Sequence, residues 1–325
     1  RAREEQTVAV TGAAGYIGSR VVGRLRETHP DWDVIPIDNF YHGSVREIGD
    51  ATVEHVDVRD RARLEAALDG ADIVLHLAAV SGVDDCADNP DLAYEVNVQG
   101  TNNVAWFCRK HSCGLAFPIS MGILGDPSAF PITVDHPRNP MNWYGRTKVL
   151  GERAIETYAD GAFPAINLMK SNLYGDHTVD GTRVSKGTVI NFFVDRALAG
   201  ETLTVYEPGS QARNYVHVKD VADAYPRCAE RLVERSAEGD TGVETYEIAS
   251  DEDPSVRSIA ERVQAIAREE ADINVDVELV ENPRAGNETL VEEFAVDTER
   301  THADLNWAPT RDVESTVREL IRQRS

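Results

Sequence analysis

Residues 7–20 read TVAVTGAAGYIGSR, and the reading of this stretch decides the fold. Its first half, TVAVTG (7–12), is apolar or β-branched at every position before Gly12, as a strand covered on both faces would be. Its second half spaces glycines as G-x-x-G-x-x-G, at Gly12, Gly15 and Gly18, and leads into a helical pattern over 15–28. Glycine at such a junction permits a tight turn and lets backbone approach a pyrophosphate held at a helix N-terminus. The spacing alone is a weak signal; at the end of the first strand of an alternating α/β chain it is strong. The next strand, DVIPID (33–38), ends in Asp38, about twenty residues past the last glycine, where a dinucleotide fold places its ribose-binding acid. A carboxylate there accepts hydrogen bonds from an adenosine ribose 2′-hydroxyl and repels a 2′-phosphate, which favours NAD over NADP. The bland alternative is that Asp38 only caps the following turn.

Outward from this stretch the first half keeps alternating. TVEHVDV (52–58) and DIVLHLAA (72–79) read as strands with the helix RARLEAAL (61–68) between them. A long helix near 91–112, the strand GLAFPIS (114–120), a helix opened by NWYGRTKVLGE (142–152) and the strand FPAINLMKSN (163–172) follow. This is the pattern of an α/β Rossmann fold, a doubly wound parallel sheet. After about residue 177 the rhythm changes to a polar loop (181–188), helices over 189–199, 254–270 and 311–323, and short strands near 203–206, 213–218, 246–250 and 272–280. We therefore expect a dinucleotide-binding domain over 1–177 and a smaller mixed α/β substrate domain over 178–325, with parts of 213–250 returning to the first sheet.

Composition narrows the function. The chain has 325 residues, of which 42% are hydrophobic, enough for a sizeable core. Acidic residues number 56 against 33 basic ones, a formal net charge of −23. Such a surface repels phosphate backbones and anionic lipids, which argues against a nucleic-acid or membrane partner. No run approaches membrane-spanning length and no leader pattern stands out, so a cytoplasmic location is expected. Cys86, Cys108, Cys113 and Cys228 have neither paired spacing nor a metal pattern, and suit a reducing compartment. No metal site is expected. Lysine occurs only at 110, 148, 170, 186 and 219. An acidic, lysine-poor surface is what concentrated salt requires; the alternative is an ordinary acidic protein with arginine-biased codons.

In NWYGRTKVLGE, Tyr144 and Lys148 stand one helical turn apart on one face. An enzyme that takes hydride from an alcohol must also remove the hydroxyl proton. Tyrosine, near 10 when free, becomes a usable base only where a neighbouring cation favours phenolate. Lys148 could supply that charge, and Ser120, ending a strand in the same fold, could orient the substrate oxygen.

Together, TGAAGYIG (11–18), LHLAA (75–79), YEVNVQGTNNV (94–104), Ser120 and Tyr144-x-x-x-Lys148 resemble the extended short-chain dehydrogenase/reductase family, in its NAD-dependent nucleotide-sugar epimerase/dehydratase branch. The resemblance runs in order from about residue 7 to 309. It implies Tyr144 as base, Lys148 as binder of the nicotinamide ribose, and Ser120 as hydrogen-bond partner of the reacting sugar hydroxyl. Gly12, Gly15, Tyr16, Ile17, Gly18, Asp38, Asn39, Asp57, Val58, Leu77, Ala78 and Ala79 would hold NAD, with Asn97 the family's structural asparagine. Ser81, Asn172, Val189, Tyr206, Arg213 and Arg284 would join Ser120 in binding the substrate, the two arginines as diphosphate clamps. A homodimer is implied, through the helices near 91–112 and 143–159, with Val104, Trp106, Phe107, Leu150, Ile155 and Tyr158 as candidate contacts.

Dehydratase members carry an acid directly after the catalytic Ser or Thr; here Ser120 is followed by Met121-Gly122-Ile123-Leu124. That leaves the 4-epimerase pattern, in which a transient 4-keto sugar forms and NAD is regenerated, with a UDP-hexose as the implied substrate. Departures are Leu124 in place of a tyrosine, Asn287 in place of an acid, and Lys170 where the family has an aromatic residue. Two readings compete: a net dehydrogenase or keto-sugar reductase of the threonine dehydrogenase kind, and a non-catalytic NAD-binding protein.

Overall fold

The computed structural model describes residues 5–325. Its centre is a seven-stranded sheet built in chain order from β1 (Thr7–Thr11), β2 (Asp33–Asp38), β3 (Glu54–His55), β4 (Ile73–His76), β5 (Gly114–Ser120), β6 (Pro164–Lys170) and β7 (Gly242–Ile248). Every pairing is parallel, in the spatial order β7-β6-β5-β4-β1-β2-β3. The order reverses at β1/β4, the switch point at which doubly wound sheets open a crevice beyond their strand ends.

The near-continuous apolar strands are explained by helices on both faces. One face packs Leu115, Phe117 and Ile119 against Phe107 and Ile155, from the helices Thr101–His111 and Trp143–Ala159. The other packs Val8, Val10 and Leu75 against Val21, Leu25, Tyr225 and Leu232, from the helices Gly18–Thr28 and Val218–Glu238. A third core joins the helices Val189–Leu198, Val256–Ala271 and Val313–Arg324. Beside it run the parallel pairs Leu203–Tyr206 with Val277–Val280 and Asn172–Tyr174 with Tyr215–His217.

Several elements differ from expectation. The strand expected over 52–58 pairs with the sheet only at Glu54–His55, because Asp57 turns the chain by accepting from the Arg59 N–H (2.9 Å) and Asp60 caps the next helix. The long helix near 91–112 is helical throughout, but over Glu95–Gly100 it widens into a π-turn. Within the loop expected at 181–188, Thr182–Val184 forms a hairpin with His177–Val179. Of the six candidate dimer contacts, Val104, Phe107 and Ile155 are buried in the chain's own core. Trp106 and Tyr158 meet edge to face, and Leu150 is exposed, as is Trp143 on the same helix.

Candidate active site

A cleft of about 480 Å³ lies beyond the carboxyl ends of the sheet strands. Its walls come from the glycine loop, Asp38, the segment 77–82 after β4, Ser120 at the end of β5, Tyr144 and Lys148, and Lys170 through Asn172 at the end of β6. Residues more than a hundred positions apart therefore meet because each ends a strand on the same sheet edge.

The glycine loop is shaped by close approach. Gly12 has φ +71, and a Cβ there would lie 2.7 Å from the Ala78 nitrogen. A Cβ on Gly18 would lie 2.0 Å from the Gly12 carbonyl oxygen. Thr11 completes the junction: its Oγ1 accepts from the Ala78 N–H (3.1 Å) and bonds His76 Nδ1 (2.7 Å), while His76 Nε2 bonds Thr101 Oγ1 (2.9 Å). His76 is thus a core fastener between strand and helix, and burial pushes its pKa down to about 3.

Asp38 is buried at the end of β2, and its carboxylate accepts from the backbone N–H groups of Ala14 (3.0 Å) and Phe40 (2.6 Å). Burial raises its pKa and these two bonds oppose the rise. The carboxylate thus caps the turn and still has lone pairs free for a ligand. Asn39 donates to Asp57 (3.0 Å), whose pKa falls to about 2, chiefly through Arg59. The cradle left by absent side chains, with a carboxylate on its rim, fits a dinucleotide diphosphate and ribose.

Asn142 caps the helix Trp143–Ala159 by accepting from the Gly145 N–H (2.9 Å), which sets Tyr144 in the first turn and Lys148 in the next. Lys148 is 3% exposed, and its ammonium lies 4.4 Å from the Phe117 ring centroid. Burial first, then the charge of Lys170, brings its pKa down to about 7. Tyr144 is raised above its ordinary value by burial. In the protein alone the expected lowering of the phenol by Lys148 is absent: burial raises it, and the charge of Cys86 adds to the rise. Ser120 Oγ accepts from the Gly122 N–H (3.2 Å), which leaves its own O–H to donate into the cleft.

Asn97 lies behind the cleft. The π-turn presents its amide to Val80, accepting from the N–H (2.8 Å) and donating to the carbonyl (2.9 Å), and also to Thr147 (3.0 Å). It therefore ties the wall segment to the helix that carries Tyr144 and Lys148.

Gly12, Gly15, Tyr16, Ile17, Gly18, Asp38, Asn39, Val58, Leu77, Ala78, Ala79, Ser81, Ser120 and Asn172 all reach this cleft with Tyr144 and Lys148. Asp57 sits just outside it, holding the lining residue Asn39. Val189 opens the helix after Thr188, which lines the cleft. Tyr206, Arg213 and Arg284 stand apart. Arg213 donates to the carbonyls of Ala212 (2.8 Å) and Thr289 (2.6 Å). Arg284 pairs with Asp84 (2.5 Å) and lies 5.8 Å from the Tyr206 ring. Lys186 was not among the expected site residues, yet it enters the cleft and donates to Ser81 Oγ (2.7 Å). Its scarcity was the available signal: three of five lysines line this one cleft.

A parallel sheet with a glycine cradle, an acid at the end of β2 and a Ser-Tyr-Lys set on one cleft defines an extended short-chain dehydrogenase/reductase. The model of the NAD dependent epimerase/dehydratase family matches residues 8–248, and the chain belongs to that family. It is 34% identical to a putative UDP-glucose 4-epimerase of Methanocaldococcus jannaschii over 67% of this chain and 71% of that one. It is 30% identical to the low-salt glycan biosynthesis protein Agl12 of Haloferax volcanii, over 97% of each. Among solved structures, UDP-glucose 4-epimerase of Thermus thermophilus in complex with NAD superposes with a TM-score of 0.80 at 25% identity, over 98% of both chains.

Proposed function

We propose that this protein interconverts the C4 epimers of a nucleotide-diphosphate sugar of the UDP-glucose/UDP-galactose kind, with NAD as a resident cofactor. The observation that carries the reading is the convergence of Ser120, Tyr144 and Lys148 on the cleft that also holds the glycine cradle and Asp38. The missing carboxylate after Ser120 favours epimerisation over dehydration, since nothing at Met121 or Gly122 can take a proton from the sugar's C5.

Gly12, Gly15 and Gly18 would hold the dinucleotide diphosphate against the helix N-terminus, and Asp38 the adenosine ribose. NAD, when bound, would supply the acceptor and donor of the C4 hydride and, in its oxidised form, a positive charge that favours phenolate. Ser120 donates its hydroxyl proton to the sugar 4-oxygen and keeps that oxygen facing Tyr144. Tyr144 takes the 4-hydroxyl proton and returns it to the opposite epimer. Lys148, held near neutrality by burial, binds the nicotinamide ribose and stabilises the phenolate once its charge is restored by those hydroxyls. Arg213 and Arg284 would clamp the substrate diphosphate after exchanging their present partners.

The same reading includes a homodimer through the helices Thr101–His111 and Trp143–Ala159, supported by the exposed Trp143 and Leu150, both 46% accessible. The four free, buried thiols fit a reducing cytosol, and no helix among the described residues is long and apolar enough to cross a membrane. Tyr144→Phe tests the assignment of the base. Turnover should fall by roughly 10²–10⁴-fold while NAD still binds; full activity in this variant would overturn it.

A further inference from the structure

We propose that the sugar accepted in this cleft is a nucleotide-linked hexuronic acid, its C6 carboxylate received by Lys170 with Lys186 beside it. The inference rests on the C4-epimerase reading and narrows its substrate.

Lys170 ends β6, directly paired in register with Ser120 at the end of β5. In a parallel sheet this sets the two residues one strand spacing, about 4.8 Å, apart. The residue that orients the sugar's 4-oxygen therefore has a lysine as its immediate neighbour, and C6 is attached to C5, next to C4. Lys170 lines the cleft and is more than half buried, yet among the described residues its ammonium has neither a carboxylate nor a hydrogen-bond acceptor. Burial, with the charge of Lys186, holds its pKa down to about 8. A buried ammonium of this kind is destabilised until an anion arrives. Next to it, Ser171 is 5% exposed and its hydroxyl is also without a partner. The ammonium, which opens on the cleft while the Ser171 hydroxyl is closed off from it, suits a carboxylate with lone pairs to offer.

In a chain of net charge −23 that uses lysine five times, Lys148, Lys170 and Lys186 all line this cleft. Lys148 is needed by the chemistry, and Lys186 already holds Ser81. Lys170 has no task in the reaction of a neutral hexose, where an uncompensated cation beside the sugar would weaken the site.

The test compares kcat/KM for UDP-glucuronic acid, UDP-glucose and UDP-N-acetylglucosamine, in wild type, Lys170→Met and Lys170→Arg. Sugar products are separated, and the melting temperature of each variant checks its folding. The wild type should favour the uronic acid roughly tenfold or more. In Lys170→Met the ratio of uronic acid to glucose should fall at least ~30-fold, and Lys170→Arg should restore part of it. A wild type that prefers a neutral hexose overturns the proposal. So does an equal loss on all substrates in Lys170→Met, which would assign Lys170 to the diphosphate or the cofactor. If no substrate is epimerised, the parent reading fails. Calorimetric binding of UDP-glucuronic acid against UDP-glucose to wild type and Lys170→Met then still decides the carboxylate site.

Discussion

The Lys148 ammonium is buried 4.4 Å from the Phe117 ring centroid, and that burial brings its pKa down to about 7. Its spacing from Tyr144 is visible in the sequence, but the state of both is set in the fold, by desolvation first and then by the charges of Lys170 on Lys148 and of Cys86 on Tyr144. A folded value near 7 against an ordinary 10.5 means that, between those two values, the unfolded chain holds a proton the folded chain releases. Stability of the cofactor-free protein should therefore rise with pH across that window, most clearly from pH 7 to 9, below the range where tyrosines titrate. Lys148→Met should remove this cost. We expect it to be more stable than wild type at pH 7 by on the order of a few kcal/mol, with a shallower gain towards pH 9, and to be nearly inactive. Urea unfolding at the two pH values checks it; a variant less stable than wild type at pH 7 would show that burial of the amine is not costly here.

At the scale of the element, the strands and helices that position the site were readable because period and glycine punctuation are local signals. The glycine loop is the clearest case: the close contacts at Gly12 and Gly18 are the physical reason for the spacing seen in the sequence. Gly18→Ala would drive a methyl group into the Gly12 carbonyl and displace the loop, so NAD affinity should fall by about 10²-fold in titrations of the apoprotein. An unchanged Kd would mean that the loop does not carry the cofactor. The π-turn at Glu95–Gly100 was not legible, since its apolar pattern is also compatible with an ordinary helix. It exists in partnership with Val80 and Thr147, contacts that no window of sequence contains. Asn97→Ala should leave the Val80 N–H buried without a partner and its carbonyl with the Cys86 thiol alone (3.5 Å), and cost about 2–4 kcal/mol in urea unfolding. Little loss of stability would show that water takes the place of the amide.

At the scale of the whole molecule, charge and topology act separately. The order of the sheet brings the ends of β1, β2, β4, β5 and β6 to one edge, and so turns separate motifs into one cleft. Motif order predicted that assembly well. It did less for the arginines, because the segments carrying Arg213 and Arg284 lack a strong period, and their side chains hold protein partners instead. The net charge of −23 spreads over a surface whose ion pairs are supplied overwhelmingly by arginine, with lysine gathered into the cleft. Raising NaCl from 0.1 M to 2 M shortens the screening length from about 10 Å to below 3 Å and should relieve self-repulsion. Relief of a few kcal/mol would raise the melting temperature by roughly 5–10 °C, as adaptation to concentrated salt requires. A flat or falling melting temperature would assign the acidity to composition alone.

C4 epimerisation is tested most directly by incubating the protein in molar salt with each member of a UDP-sugar C4 pair and no added reductant. Sugar products and absorbance at 340 nm are followed together. Either member should yield the same equilibrium mixture of the two epimers with no lasting NADH. An oxidised sugar accumulating with stoichiometric NADH would contradict it and make the protein a dehydrogenase.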